Sequence, residues 1–249
     1  MIFTFISIVK FRNYFSKFVI ILKLAHFQIF KLTMVTILSD QFSLVNSWIN
    51  DLRNTEVQND RMKFRRNMER IGEIAAFEIS KGLEQKEVEI ISPLDKITVK
   101  EIAVQPVITT ILRAGVPLFQ GILNYLDKAD CGFVAAYRKH DANDYFSIKQ
   151  DYLTCPNIDG RPLIVADPML ATGASLIEAI KDLLNHGNPT QLHIVAAIAS
   201  KQGVETIRNA YPNAKIWVGA IDEKLTSKGY ITPGLGDAGD LSYGEKLQR

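Results

Sequence analysis

Cysteine is scarce in this chain. Only Cys131 and Cys155 occur among 249 residues, far apart, and the histidines stand singly at positions 26, 140, 186 and 193. That spacing excludes a zinc ribbon and a cysteine framework, and both thiols are expected to be reduced. Long apolar runs are missing near the start as well. The first 33 residues are apolar and basic, yet their longest uncharged run, Met1 to Val9, falls well short of the roughly 18 residues a membrane span needs. No acid precedes Asp40, whereas Lys10, Arg12, Lys17, Lys23 and Lys31 do. A signal peptide would place its positive residues ahead of the apolar run, the reverse of the order here. Three readings of residues 1–33 are left: an interfacial amphipathic anchor, a disordered or packed extension, and a translated stretch upstream of a start at Met34. The last is favoured, because globular patterning begins after Met34, and no membrane partner is expected. With five cations in that stretch and a net charge of only +2 overall, residues 34–249 carry −3. A mildly acidic body argues against a nonspecific nucleic-acid binder, and the cytoplasm is the expected location.

A chain that is 47% hydrophobic and 22% charged is globular in composition. One domain over residues 34–249 is expected. From Asn59 to Lys81 the spacing of Met68, Ile71, Ala75 and Ile79 predicts a helix with one buried stripe, ending at Gly82. The basic cluster Arg61, Lys63, Arg65 and Arg66 enters this helix and reads first as a solvated face. Residues 97–112 are strand-like, closing on Arg113-Ala114-Gly115, and Val116, Phe119, Leu123 and Leu126 mark the next helix. Phe133 to Tyr137 predicts a strand ending at Arg138. The polar, turn-rich stretch after it is long enough for a hairpin or lid, placed at about 139–156. Pro162 to Ala166, Leu192 to Ala199 and Ile216 to Ile221 predict buried strands. Between them lie helices marked by Leu176, Ala179, Ile180, Leu183 and Leu184, and by Val204 to Ala210. Continuous apolar strands alternating with helices imply an α/β fold, a mostly parallel sheet covered on both faces. His193 is expected in a strand and His186 at a helix end.

The chemistry concentrates in LIVADPMLATGAS, Leu163 to Ser175, which joins one apolar strand to one amphipathic helix. Neither the Walker pattern nor the dinucleotide fingerprint stands at this junction. Instead Thr172, Gly173 and Ser175 put hydroxyls and open backbone at a helix start, where unpaired N–H groups and the dipole hold anions. Asp167 sits at the carboxyl end of the strand, the usual binding edge of an open α/β sheet. There it can accept hydrogen bonds from sugar hydroxyls. A phosphate-free helix cap uses the same residues, so the loop alone leaves both readings open.

This strand, aspartate and Thr-Gly-Ala-Ser unit resembles the phosphoribosyl-pyrophosphate motif of type I phosphoribosyltransferases, in which a second acid usually follows the first. Here Pro168 follows, and DPMLATG resembles the form in uracil phosphoribosyltransferases. Phe64-Arg65, ILRAG from Ile111 to Gly115, and GYITPGLGDAGD from Gly229 to Asp240 resemble the same family, over about residues 35–249. Three departures stand out: Thr110 where proline is common, Leu241 where a charge is frequent, and KHDAND after Tyr137-Arg138, where many members have an acid-rich variant.

The resemblance implies transfer of the phosphoribosyl group of phosphoribosyl pyrophosphate (PRPP) to N1 of uracil, giving UMP and pyrophosphate. It implies a type I fold with a β-hairpin lid and a base-binding segment at about 222–249. Asp167 would fix the ribose hydroxyls and lend negative potential to a cation-like ribosyl centre. Ala171, Thr172, Gly173, Ala174 and Ser175 would hold the 5-phosphate. Arg113 and Arg138 would grip the pyrophosphate, with Arg65 in the same field. Mg2+ would neutralise the pyrophosphate largely through waters, with Asp237 near it rather than a full protein cage. Backbone groups around Ile231, Gly236 and Ala238, beside Asp237, would read the base edge. The resemblance further implies a homo-oligomer, at least a dimer, and GTP as an activator. Two alternatives stand beside it: a phosphoribosyltransferase for another base, and a catalytically silent nucleotide-sensing or RNA-binding protein of the same fold.

Overall fold

Several helices start at a side-chain cap. The computed structural model describes residues 34–140 and 146–246, and the side chains described exclude those of 136–151. Ser43 accepts from the Val45 N–H while Asn46 accepts from the Ser43 N–H, and this reciprocal capping box opens α1, Leu44–Arg53. Asp60 accepts from the Lys63 N–H and opens α2, Arg61–Ser80. The stripe expected on α2, Met68, Ile71, Ala75 and Ile79, is buried, joined by Phe64 and Ala76. Four further helices follow: α3 Val116–Tyr125, α4 Ala174–Leu183, α5 Lys201–Ala210 and the short α6 Ala238–Tyr243.

In chain order the strands are β1 Val35–Ile37, β2 Gln85–Ile91, β3 Lys96–Ile102, β4 Val107–Leu112, β5 Asp130–His140, β6 Phe146–Thr154, β7 Pro162–Ala166, β8 Met169–Leu170, β9 Gln191–Ser200, β10 Lys215–Asp222, β11 Lys224–Leu225 and β12 Ile231–Thr232. The main sheet runs β1-β10-β9-β7-β4-β5-β6, with β8 continuing beside β9. β10, β9, β7, β4 and β5 are mutually parallel, and β6 returns antiparallel against β5. Every residue of β7 is buried, and successive strand side chains face opposite ways, so both sheet faces are covered. This is the mostly parallel α/β sheet that the apolar strands imply.

The core residues of α1, α2 and α3 pack with Ile108, Ile164, Ala166, Val195 and Ala197 of the sheet. The strand-like stretch 97–112 divides in two. Val107 opens a sheet strand, whereas Lys96–Ile102 pairs antiparallel with Gln85–Ile91 as a separate two-stranded hairpin. That hairpin carries Lys86, Glu87, Glu89, Lys96, Lys100 and Glu101, and its register sets Val88 opposite Val99 and Ile90 opposite Ile97 on one face, none of them buried. The strand expected over 133–137 extends to Asp130–His140, because its outer half pairs with β6 in the hairpin predicted there. The hairpin tip, residues 141–145, lies outside the described residues.

Candidate active site

Adjacent parallel strands deliver the candidate residues to one edge of the sheet. β7 ends into Asp167 and its neighbour β4 into Arg113, while β9 ends on Ser200 and β10 on Asp222. Asp167 is half-buried, and its N–H donates to the Val195 carbonyl at 3.0 Å, which fixes where the chain leaves the strand. The loop beyond it is pinned from β9. Ser200 Oγ donates to the Ala171 carbonyl at 2.6 Å and accepts from the Gly203 N–H at 2.8 Å, so one hydroxyl caps α5 and anchors the loop. Gly173 precedes α4 with φ +84°, a left-handed conformation that side chains disfavour. Its missing side chain leaves the start of a ten-residue helix without a cap from that position, with Thr172 Oγ1 3.4 Å from the Ala174 nitrogen. Hydroxyls, helix-start N–H groups and the dipole thus converge on a candidate anion cradle.

Thr110, the departure from the usual proline, ties the arginine loop to this cradle. Its hydroxyl donates to the Ala166 carbonyl at 3.1 Å, next to Asp167. The Leu112-Arg113 peptide bond is cis. Arg113 Nη2 donates to Asp240 Oδ1 at 2.8 Å and to the Gly244 carbonyl at 2.6 Å. Asp237 caps α6 by accepting from the Gly239 and Asp240 N–H groups at 2.9 and 3.0 Å, and its other oxygen accepts from Lys246 Nζ at 2.9 Å. Burial works to raise the Asp237 pKa, but the Lys246 bond and the two N–H groups outweigh it, and the carboxyl lies below its usual range.

The terminal segment closes over the same edge. A Cβ added at Gly229 would lie 3.6 Å from Thr172 Cγ2, and one added at Gly239 would lie 3.8 Å from Arg113 Nε. Ile231 and Ala238 are buried, and Gly236 turns with φ +91°. The glycines 234, 236 and 239 match GxGxxG in spacing, but they follow the two-residue β12 and open a six-residue helix. That is not the strand and long helix of a dinucleotide site.

Asp167, residues 171–175, Arg113, Asp237 and the segment 231–238 are therefore brought to one sheet edge. Arg65 stands farther back: its Nη1 donates to the Ser242 carbonyl at 2.7 Å and its guanidinium lies over the Tyr243 ring. Of the other cations in its cluster, Lys63 pairs with Asp51 and Arg66 with Glu69 and Glu73. Arg138 pairs with Ile148 in the β5–β6 register, and its side chain lies outside those described. Residues missed from sequence are Arg53 and Asp222, which grip Gly234 from α1 and β10. No local pattern joins positions so distant in the chain.

A family profile described as uracil phosphoribosyltransferase matches residues 39–244. A uracil phosphoribosyltransferase of Porphyromonas gingivalis is 46% identical over 211 residues, covering 84% of this chain and 98% of that protein. One of Thermococcus gammatolerans is 37% identical over 193 residues, covering 76% of this chain and 85% of the relative. A solved structure of an Aquifex aeolicus protein superposes with a TM-score of 0.76 at 29% identity, covering 86% of this chain and all of that one.

Proposed function

This chain belongs to the uracil phosphoribosyltransferase family, and on that premise we propose how its sheet edge carries out the reaction. The reaction is transfer of the phosphoribosyl group of PRPP to N1 of uracil, with release of UMP and pyrophosphate. The observation that carries the assignment of roles is the convergence at one edge of the Asp167 loop, Arg113 and the segment 229–240. Ala171 to Ser175 hold the 5-phosphate at the start of α4. Asp167 accepts from the ribose hydroxyls and sets negative potential beside the carbon that becomes cationic as pyrophosphate leaves. Arg113 and Arg138 receive the pyrophosphate, guanidinium donors matching its oxygens. Arg65 acts on this field through α6, which it holds by the Ser242 carbonyl.

The donor set suits a magnesium ion carried by the substrate. Asp237 spends one oxygen on two N–H groups, while the other meets only an exchangeable ammonium among the described contacts. Among the described residues no group of three or more His, Cys, Asp and Glu side chains forms a cage. Mg2+ bound with PRPP would supply charge neutralisation to the leaving pyrophosphate, and Asp237 is the residue that would stand nearest it.

The backbone of residues 231–238 reads the base, Asp237 standing between base and ribosyl diphosphate. The β5–β6 hairpin closes as a lid, so that water does not take the ribosyl group. Self-association and GTP activation are carried by the resemblance, as is the cytoplasmic location. The hairpin tip of β2–β3 offers apolar surface for a second copy of the chain, with Ile91 82% and Leu94 97% exposed. Among the described residues no helix is long and apolar enough to cross a membrane.

Competition among bases tests the substrate. Uracil, cytosine, hypoxanthine and adenine are each supplied with PRPP and Mg2+, and uracil is expected to give the fastest nucleotide formation. Equal or faster turnover of a purine would overturn the assignment.

A further inference from the structure

Arg53 closes α1 and Asp222 closes β10, 169 residues apart, yet they meet as a two-pronged ion pair. Arg53 Nη2 donates to Asp222 Oδ1 at 2.7 Å, and Nη1 donates to Oδ2 at 2.8 Å. Asp222 is 7% exposed and Arg53 21%. Two charges taken from water need further hydrogen bonds to offset their desolvation, and this pair finds them on a single residue. The Gly234 N–H donates to Asp222 Oδ2 at 2.9 Å, and the Gly234 carbonyl accepts from Arg53 Nη1 at 3.0 Å.

Holding both groups of one glycine fixes two peptide planes. The bonds on either side of Gly234 are trans, and in a trans peptide the carbonyl and N–H point in opposite directions. Anchoring the Gly234 N–H therefore turns the Pro233 carbonyl away from the ion pair. Anchoring the Gly234 carbonyl turns the Leu235 N–H away as well. The pair thus sets the outward direction of one acceptor and one donor in the middle of the terminal segment. No side chain can replace this arrangement, because Gly234 has φ +65° and an added Cβ would lie 2.1 Å from the Ile231 carbonyl oxygen.

We infer that Arg53 and Asp222 are positioning residues for base recognition: they hold the peptide planes at Gly234 and so set the affinity for uracil without touching it. The inference rests on the assignment of residues 229–240 as the base-reading segment. A backbone that reads a planar ring does so only as accurately as its peptide planes are held. The phosphoribosyl cradle depends instead on Ser200, Thr110 and α4, and is predicted to be indifferent to the clamp.

The test is a split of Michaelis constants in the full chain, with uracil and PRPP varied separately in wild type, Asp222→Asn and Arg53→Lys. Melting temperature is recorded for each. Losing a charge-assisted clamp is expected to raise the KM for uracil at least about tenfold in Asp222→Asn, while the KM for PRPP stays within about threefold. Arg53→Lys keeps the charge but loses the fork, so its KM for uracil is expected between the two; should Asp222→Asn not fold, it carries the comparison alone. A lowered melting temperature with an unchanged KM for uracil marks a structural pair and overturns the inference. Equal rises in both constants overturn it too. Wild type that forms no product from uracil fails the assigned reaction before either variant is measured, and the inference falls with it.

Discussion

At position 193 an imidazole is sealed inside the sheet, and its partners dictate its charge. Trp217 Nε1 donates to His193 Nδ1 at 3.1 Å, so the ring proton sits on Nε2 and points to Gln191 Oε1 at 3.0 Å. Lys215 Nζ donates to the same Gln191 oxygen. Burial, and then the Lys215 charge, push the His193 pKa from 6.5 down to about 3. A second proton would have to stand against the indole N–H. The unfolded chain takes up that proton below about pH 6.5 and the folded chain does not, so the unfolded state binds more protons in this window. The stabilisation is complete above the unfolded pKa and is lost as pH falls from 6.5 towards 3, at up to about 1.4 kcal/mol per pH unit. Denaturant unfolding from pH 7 to 4 is expected to show that much more slope in wild type than in His193→Gln; parallel curves would contradict it. The thiols are likewise structural. Burial raises Cys131, and it pushes Cys155 up to about 11, which keeps both protonated at neutral pH.

At the scale of elements, the closest packing is between α2 and α3. A Cβ on Gly121 would fall 1.9 Å from the Glu69 carbonyl oxygen, so the two backbones meet with nothing between them. Gly121→Ala must push α3 off α2 or distort it, at a cost of about 1–3 kcal/mol. For a domain of this size that is roughly 2–4 °C of melting temperature per kcal/mol. Thermal unfolding checks it, and an unshifted midpoint would contradict the packing. Elements were legible where a local pattern coincided with burial: β7 from Pro162 to Ala166, α2 from its stripe, α4 from Leu176 to Leu183. Helix α1 has the same kind of signal, Val45, Ile49 and Leu52 behind the Ser43 and Asn46 capping box, and it is absent from the helices read in the sequence. The β2–β3 hairpin carries a short alternation, Val88 and Ile90 facing Val99 and Ile97, of which only the part from residue 97 on reads as strand-like in the sequence.

At the scale of the molecule, what the sequence could not display is which distant segments share an edge. Asp167 and the Thr172 turn are neighbours in the chain, and their placement at a strand end and a helix start was readable. The clamp of Arg53 and Asp222 on Gly234 joins three segments that only the parallel sheet brings together. Arg65 shows the converse, a residue singled out by a motif whose partner, the Ser242 carbonyl, lies 177 residues away. The central claim is that the edge around Asp167 performs phosphoribosyl transfer to uracil. The most direct measurement is uracil-dependent release of pyrophosphate from PRPP, in wild type and in Asp167→Asn. Wild type is expected to release pyrophosphate only when uracil is present, and the variant to lose at least about tenfold in rate, or roughly 1.4 kcal/mol of transition-state stabilisation. Release that does not depend on uracil, or a variant as fast as wild type, would contradict the account.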